Sequence, residues 1–166
     1  MTQAAAARVA LEGGETTVAT GVAVLDHLLE QLAAAGGFSI GLEVAPDEPE
    51  AEVDTAGAML GEAFLPLLTR DGAARRGFGI TPADEALAMV VVEASGKALV
   101  VSNADLTSTR AGGLRTDLAA AFLRGFSDSA GLTIHVRLIE GENSQHVLEA
   151  IFKGLGVALA RACDDA

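Results

Sequence analysis

The sequence contains no tryptophan and no tyrosine, and its aromatic residues are six phenylalanines. It therefore lacks most of the side chains on which nucleic-acid bases stack. Positive charge is also scarce, with 11 Lys and Arg residues against 23 Asp and Glu residues and a net charge of −12. Nucleic acids and anionic membranes are bound through basic faces, so the composition argues against both as partners.

Cysteine occurs once, as Cys163, which excludes an intramolecular disulfide and any metal cage built from cysteines. This usage fits a reducing cytoplasm. No apolar run approaches the roughly 18 residues that a membrane-spanning helix needs. Residues 1–10 hold one Arg and no apolar run of the kind found in export signals. We therefore expect a cytoplasmic protein without a membrane segment.

With 166 residues, half of them apolar, the chain is long enough for one compact domain. In the first part, β-prone runs around Gly13-Gly14 predict a hairpin within residues 7–21. Helical spacing follows over residues 24–35, strict alternation over 38–44 and helical spacing again over 50–69. Pro66 is expected to kink or shorten this second helix.

The same order of elements recurs in the second part. Residues 88–103 predict a hairpin that turns at Ser95-Gly96, and a Gly112-Gly113 loop leads to a helix over 116–129. A strand over 132–138 matches the earlier strand at an offset of 94 positions. A last helix is predicted over residues 144–153, with Ser144 as its expected cap.

This repetition predicts an α+β fold made of two β-β-α-β-α halves, covering about residues 7–70 and 84–163. In each half one face of a sheet packs against two helices, and the halves bury their remaining surfaces against each other. The predicted architecture is a single domain over residues 1–166 with pseudo-two-fold symmetry.

The most reactive side chains lie on the last helix. Gln145, Glu149 and Lys153 are four residues apart and share one stripe, while His146 lies about 100° round the helix from it. A weaker copy of this pattern stands 95 positions earlier, at Glu50, Ala51 and Asp54. Each half is therefore predicted to carry a site.

These residue types suit a metal ion, because imidazole nitrogens and carboxylates on rigid helices bind divalent metals. His27, His146 and Glu149 form one candidate site, with Glu50 and Asp54 as further carboxylates. Alternatively, the acids near residue 50 simply complement a helix dipole. His27 follows Asp26, which either pairs with it at the surface or orients it as a ligand. His135 alternates with buried residues and is interpreted as an ordinary histidine on the polar face of a strand.

The few cations are candidates for binding a phosphate, and they include Arg75, Lys97 and Lys153. Asp84-Glu85 follows Pro82 and indicates either a helix start or a pair of acid-base groups. The sequence has no P-loop, no dinucleotide fingerprint and no nucleophile motif of the serine or cysteine type.

Taken together, these segments resemble the imidazoleglycerol-phosphate dehydratase family over nearly the whole chain and in collinear order. The resemblance is carried by residues 20–32 with Asp26-His27, residues 75–87 with Pro82-Ala83-Asp84-Glu85, Ser95-Gly96-Lys97, residues 130–135, and residues 143–153 with Gln145-His146-Val147-Leu148-Glu149.

The resemblance implies a hydro-lyase of histidine biosynthesis that uses two manganese ions and converts imidazoleglycerol phosphate to imidazole acetol phosphate. It also implies a homo-oligomer, a trimer or larger, whose subunits share metal sites. His146 and Glu149 match catalytic positions. His27, His146 and Glu149, with Asp54 and Glu50 from the first motif, match or neighbour metal positions, and the phosphate positions are Arg75, Lys97 and Lys153.

The sequence departs from the family pattern at several ligands. Glu50-Ala51-Glu52-Val53-Asp54 replaces the first His-His-x-x-Glu run, Gln145 replaces one imidazole of the second run, and Ala121 stands at a further ligand position. The sequence is also expected to begin after the family's N-terminal strand and to stop before its C-terminal phosphate loop. These departures predict one manganese site or none.

Three functions follow as alternatives. The first is a diverged dehydratase with degenerate metal sites that acts on a small phosphorylated imidazole. The second is a non-catalytic paralogue that serves as a binding or regulatory subunit, and the third is a single-metal lyase acting on another small phosphate ester.

Overall fold

The computed structural model describes residues 6–104, 110–111 and 114–166. Within these ranges the chain forms four helices: α1 Ala23–Gly36, α2 Pro49–Thr69, α3 Thr116–Ala130 and α4 Ser144–Cys163. The strands are β1 Ala6–Ala10, β2 Thr17–Ala19, β3 Ser39–Glu43, β4 Arg76–Ala83, β5 Ala86–Glu93, β6 Leu99–Ser102, β7 Arg110–Ala111, β8 Leu114–Arg115 and β9 Thr133–Glu140. None of the described helices is long and apolar enough to cross a membrane. The predicted Gly112-Gly113 loop lies outside the described residues.

The two main sheets are built in the same way, which agrees with the predicted α+β fold of duplicated halves. The first has the order β1-β3-β2 and the second the order β4-β5-β9-β6. In the first sheet β1 is antiparallel and β2 parallel to β3. In the second, β5 is antiparallel and β6 parallel to β9. Among the described strands, the second sheet has one further edge strand, β4.

Both predicted hairpins are wrong, for the same reason. The strands on either side of Gly13-Gly14 do not pair with each other, because β3 returns after a helix and lies between them. Likewise β9 lies between the strands on either side of Ser95-Gly96. The central strands carry the fully buried Ile40 and Ile134, and a central position gives them hydrogen-bonding partners on both edges. Local turn chemistry alone does not indicate such an insertion.

A hairpin does form where the sequence indicated a helix start or an acid-base pair. Asp84 and Glu85 make the two-residue turn between β4 and β5, and Asp84 has the left-handed φ of 51°. A positive φ at a two-residue turn is typical of hairpins. Pro82 is tolerated next to this turn because β4 is an edge strand, where no partner needs its missing N–H.

The predicted helices are present, with three corrections at their ends. α2 contains Pro66 and still continues to Thr69, so the helix is not shortened; buried Leu68 anchors its last turn. α4 extends ten residues beyond its predicted end, to Cys163. Its cap is Asn143 and not Ser144, because the Asn143 side chain accepts hydrogen bonds from the first backbone N–H groups.

The helices lie between the two sheets. α1 and α2 pack on the first sheet, α3 and α4 pack on the second, and the halves meet where α1 contacts α4 and α2 contacts α3. One continuous apolar core joins residues of both halves. Five of its phenylalanines form a chain of ring contacts that crosses between the halves, in the order Phe38, Phe64, Phe126, Phe122 and Phe152.

Candidate functional site

The crossing of α1 and α4 brings together two of the predicted site residues. The helices approach so closely that a Cβ at Gly156 would overlap the carbonyl oxygen of Leu32. At the N-terminal end of this crossing, His27 Nε2 lies 3.3 Å from Glu149 Oε1. The His27 side chain is half exposed, whereas Glu149 is 13% exposed. The pair is therefore an imidazole at the surface that contacts a largely covered carboxylate.

Asp26 does not orient His27. Its Oδ1 accepts hydrogen bonds from the backbone N–H of Thr20, at 2.9 Å, and from the Thr20 hydroxyl. Thr20 is fully buried just before the helix begins. Asp26 thus fixes the entry into α1, and the alternatives that paired it with His27 are wrong.

His146 is held by the turn of the β4–β5 hairpin. Its Nδ1 lies 2.5 Å from Glu85 Oε1, and its Nε2 lies 3.3 Å from Asp84 Oδ2. Glu85 also accepts hydrogen bonds from the backbone N–H groups of Glu142 and Asn143, each at 3.3 Å. One carboxylate therefore joins the hairpin turn to the start of α4 and holds the imidazole ring at the same time.

These contacts shift the pKa values of both groups. The hydrogen bond with His146 is the main cause that lowers the pKa of Glu85 from 4.5 to about 2. The same bond is the main cause that raises the pKa of His146 above 6.5, and the charges of Glu85, Asp84 and Glu149 add to it. The geometry thus favours an imidazolium between carboxylates, whereas a metal ligand needs a neutral imidazole with a free nitrogen.

The three predicted phosphate-binding cations lie at two separate places. Lys153 Nζ donates to the carbonyl oxygen of Pro82 at 2.6 Å, near the hairpin turn. Arg75 precedes β4, and its guanidinium donates to the Thr69 carbonyl oxygen at 3.2 Å. Lys97 is exposed at the same end of the sheet as Arg75. This end lies six residues along β4 from Pro82, a distance of roughly 20 Å. Within one chain the three therefore do not converge on one phosphate.

The acids of the first motif lie elsewhere. Glu50 and Asp54 are exposed on α2, which packs mainly against α3. Ala121 is the α3 residue that stands 94 positions after His27, and Asp54 stands 95 before Glu149. The pair equivalent to His27 and Glu149 is therefore Ala121 and Asp54, which contains no imidazole.

No three His, Cys, Asp or Glu side chains in the described part of the chain are grouped so that they could hold a metal ion. His27 and Glu149 supply two ligands, and the nitrogens of His146 both face carboxylates. The residues of a single chain therefore do not fit the two-manganese centre that the resemblance implied.

Two features of the site were missed from the sequence. Asp84 and Glu85 were noted, but their contact with His146 spans about 60 positions and has no local signal. Glu52 is a 6% exposed carboxylate at the start of α2, and it lies against Gly21, whose φ is 89°. Gly21, which precedes the Asp26-His27 segment, was the sequence signal that another side chain approaches the backbone closely at this point.

Comparison with known proteins supports the resemblance. The model of the imidazoleglycerol-phosphate dehydratase family matches residues 20–159. The chain is 39% identical to imidazoleglycerol-phosphate dehydratase from Aromatoleum aromaticum, over 95% of this chain and 84% of the relative. Identity to the Clostridium botulinum protein of the same name is 36%, over 91% and 79% of the two chains.

Solved structures give the same result. The fold matches imidazoleglycerol-phosphate dehydratase from Staphylococcus aureus with a TM-score of 0.87 and 31% identity, over 95% of this chain and 92% of that one. It matches the Pyrococcus furiosus protein with a TM-score of 0.84 and 29% identity, over 100% and 93% of the chains.

Proposed function

Because the chain belongs to the imidazoleglycerol-phosphate dehydratase family, we propose that it is a member that has lost dehydration chemistry and serves histidine biosynthesis as a binding or regulatory subunit. The observation that carries this proposal is the His146 clamp. The Glu85 and Asp84 carboxylates, at 2.5 and 3.3 Å from the two ring nitrogens, favour the imidazolium form of His146, and an imidazolium has no lone pair for a metal ion.

The supply of ligands supports the same conclusion. The chain has three histidines, and His135 lies on the exposed face of the second sheet, far from the helix crossings. The relatives are named as dehydratases, and a metal-assisted dehydration draws its electrostatic stabilisation from the ions. Two remaining imidazoles, one of them clamped, leave too few ligands for two ions.

Binding is the function that the remaining residues can still perform. Lys153 is a cation next to the His146 clamp, and Arg75 and Lys97 are exposed at the other end of the sheet. Such groups can hold the phosphate of a small phosphorylated imidazole without any metal. The expected homo-oligomer, a trimer or larger, would bring the two ends from different subunits together. Light scattering of the purified protein would measure that assembly.

The test has two parts, turnover and binding. We expect no conversion of imidazoleglycerol phosphate to imidazole acetol phosphate when the purified protein is assayed with added manganese. Calorimetry should still detect binding of imidazoleglycerol phosphate, weakened at least tenfold by Lys153→Ala. Arg161→Ala is the matched control, because Arg161 also donates to a β4 carbonyl, that of Phe78, without lying near the clamp.

A second candidate is an active dehydratase whose metal site is completed by a neighbouring subunit. The contact between His27 and Glu149 favours it, since an imidazole and a carboxylate already meet there. In that case manganese should bind with a stoichiometry near one per chain. His27→Ala should abolish both binding and turnover, and His135→Ala should leave both unchanged. Turnover that follows this pattern would refute the non-catalytic proposal.

A further inference from the structure

The outer face of the first sheet carries a hollow of about 410 Å³. Its wall includes Arg8, Gly41 and Thr17, which strand pairing aligns in one row across the sheet. The small residue Ala19 and the acidic residue Glu43 also line it. Pockets that bind small molecules have volumes of roughly 300–1,000 Å³, so the hollow is large enough for a compact ligand.

The hollow depends on a glycine in the central strand of this sheet. A Cβ at Gly41 would lie 2.8 Å from Nε of Arg8 and 3.1 Å from its Cγ. The Arg8 side chain therefore lies across the place that a side chain of β3 would otherwise fill. In the second sheet the equivalent place, 94 positions later, holds the side chain of His135. The shared fold does not itself require the hollow, which belongs to the first half.

Two opposite charges line the hollow and do not pair with each other. The Arg8 guanidinium lies over Gly41, and Glu43 is the next residue of β3 that points to the same face. Within the part of the chain that the structure describes, neither side chain forms an ion pair or a side-chain hydrogen bond. The two positions are separated by two residues of strand, or roughly 7 Å. A cation and an anion thus face one space and are both available to a ligand.

The charge of the surrounding half restricts the kind of ligand. Residues 1–70 contain two cations, Arg8 and Arg70, and eleven Asp and Glu residues, which gives −9. The field of these acids repels an anion such as a phosphate ester, and a simple cation meets Arg8 inside the hollow. A ligand with one charge of each sign and no net charge avoids both penalties.

We propose that this hollow binds a free α-amino acid in its zwitterionic form. The ligand carboxylate accepts hydrogen bonds from the Arg8 guanidinium, whose planar fork of N–H groups matches a carboxylate. The ligand ammonium group donates to the Glu43 carboxylate. Both groups of an α-amino acid are attached to one carbon atom, and a charge-assisted hydrogen bond of about 2.8 Å on each side lets them bridge Arg8 and Glu43. The ligand's own side chain occupies the remaining space beside Thr17 and Ala19.

This hollow is separate from the contact between His27 and Glu149. The helices pack on the other face of the first sheet, the face on which Ile40 and Leu42 are buried. An amino acid in the hollow therefore acts as an effector and not as a substrate. Because the family acts in histidine biosynthesis, L-histidine is one ligand to test, and L-leucine is a second that has no imidazole to bind elsewhere.

The first test varies the ligand and measures binding to the wild-type protein by calorimetry. L-Leucine is compared with 3-methylbutylamine, which lacks the carboxylate, and with 4-methylpentanoate, which lacks the ammonium group. Each analogue should bind at least tenfold more weakly than L-leucine, because one of the two charged contacts is lost. Absence of binding of both L-leucine and L-histidine at concentrations up to about 10 mM would overturn the proposal. So would an analogue that binds as tightly as L-leucine.

The second test varies the protein. Arg8→Gln and Glu43→Gln should each weaken binding of L-leucine at least tenfold, and circular dichroism would confirm that these surface variants fold. Gly41→Ala should also weaken binding, because its Cβ displaces the Arg8 side chain. Arg137→Gln and Glu140→Gln are the matched controls, since they remove the same charges from exposed positions of β9.

Equal effects of the hollow variants and the β9 controls would show that the heat reports only the overall charge, and would refute the site. Because L-leucine carries neither an imidazole nor a phosphate, its binding does not depend on whether the protein turns over or binds a phosphorylated imidazole. A failure of this inference is therefore distinct from a failure of the proposed function.

Discussion

The two helix crossings of this protein have the same backbone and different chemistry. In one, Gly156 of α4 lies against the Leu32 carbonyl of α1; in the other, Gly61 of α2 lies against the Phe126 carbonyl of α3. Gly61 stands 95 positions before Gly156, and Leu32 stands 94 positions before Phe126. The close packing is thus duplicated, although only one crossing carries an imidazole, His27, beside its carboxylate.

A second difference lies at the starts of α2 and α4. The Asn143 side chain caps α4, and the β4–β5 hairpin holds the first turn of this helix through the contact of Glu85 with His146. Among the residues that the structure describes, the first half has no strand equivalent to β4, and the N-cap residue of α2, Glu48, makes no side-chain cap hydrogen bond. Both halves therefore share the close helix packing, whereas the Asn143 cap and the contact between Glu85 and His146 belong to the second half.

The largest expected effect concerns the two crossings themselves. Gly156→Ala should lower the free energy of unfolding by about 3 kcal/mol, because the new Cβ meets a backbone oxygen that cannot move alone. Gly61→Ala should cost less, about 1–2 kcal/mol, since its Cβ would lie 2.8 Å from the Phe126 oxygen. Urea unfolding of each variant would measure the difference.

Gly125→Ala is the control for this comparison. It also lies in a helix at the α2–α3 crossing, but its Cβ would meet its nearest neighbour at 3.5 Å. A helical Gly→Ala change without a clash is stabilising by up to about 1 kcal/mol. If Gly156→Ala were as well tolerated as Gly125→Ala, the close crossing described above would be incorrect.

The next effect separates the helix starts. Asn143→Ala should destabilise the protein by about 1 kcal/mol, because two backbone N–H groups lose their acceptor. Glu48→Ala should change stability little, since no side-chain cap exists there to lose. Equal losses in thermal or urea unfolding would show that the two starts are not as different as their hydrogen bonds indicate.

The smallest effect is the pH dependence of the clamp. The lowered pKa of Glu85 contributes stability that is present above pH 4.5 and is lost as the pH falls toward 2. The raised pKa of His146 contributes stability that is present below pH 6.5 and is lost as the pH rises above it. The stability difference between the wild type and Glu85→Gln should therefore be greatest between pH 4.5 and 6.5.

Urea unfolding over pH 2 to 8 would measure this profile. His135→Gln is the matched control, because His135 lies outside the clamp on the second sheet. A difference between wild type and Glu85→Gln that stays constant over this range would mean that the clamp does not depend on charge.

The sequence was most informative where a pattern is local. Helical spacing of Leu25, Leu28 and Leu32 predicted α1, and Gly37 ended it as expected, with a φ of 73°. The alternation around Ile40 and Ile134 predicted the two strands that became the centres of the sheets. The repeat of these elements predicted the duplication, because each element carries its own periodicity.

Sequence reasoning failed where partners are distant along the chain. The two false hairpins arose because each pair of strands is adjacent in sequence but separated in the sheet by a strand that arrives after a helix. The hairpin at Asp84 was missed because its turn lacks glycine and adopts a left-handed φ at an aspartate. The predicted cluster of metal ligands divided into pairs because helix packing, and not helix periodicity, decides which residues meet.

The sequence by itself determined the two-part α+β order and the four helices, since these depend on residue type and on short-range periodicity. Only the tertiary structure decided that His27 meets Glu149 and that His146 is held by Glu85 and Asp84. It also decided that the second sheet exposes the apolar side chains of Phe78, Val91 and Val101. These features depend on which helices and strands pack together, and that choice is made by burying one shared core.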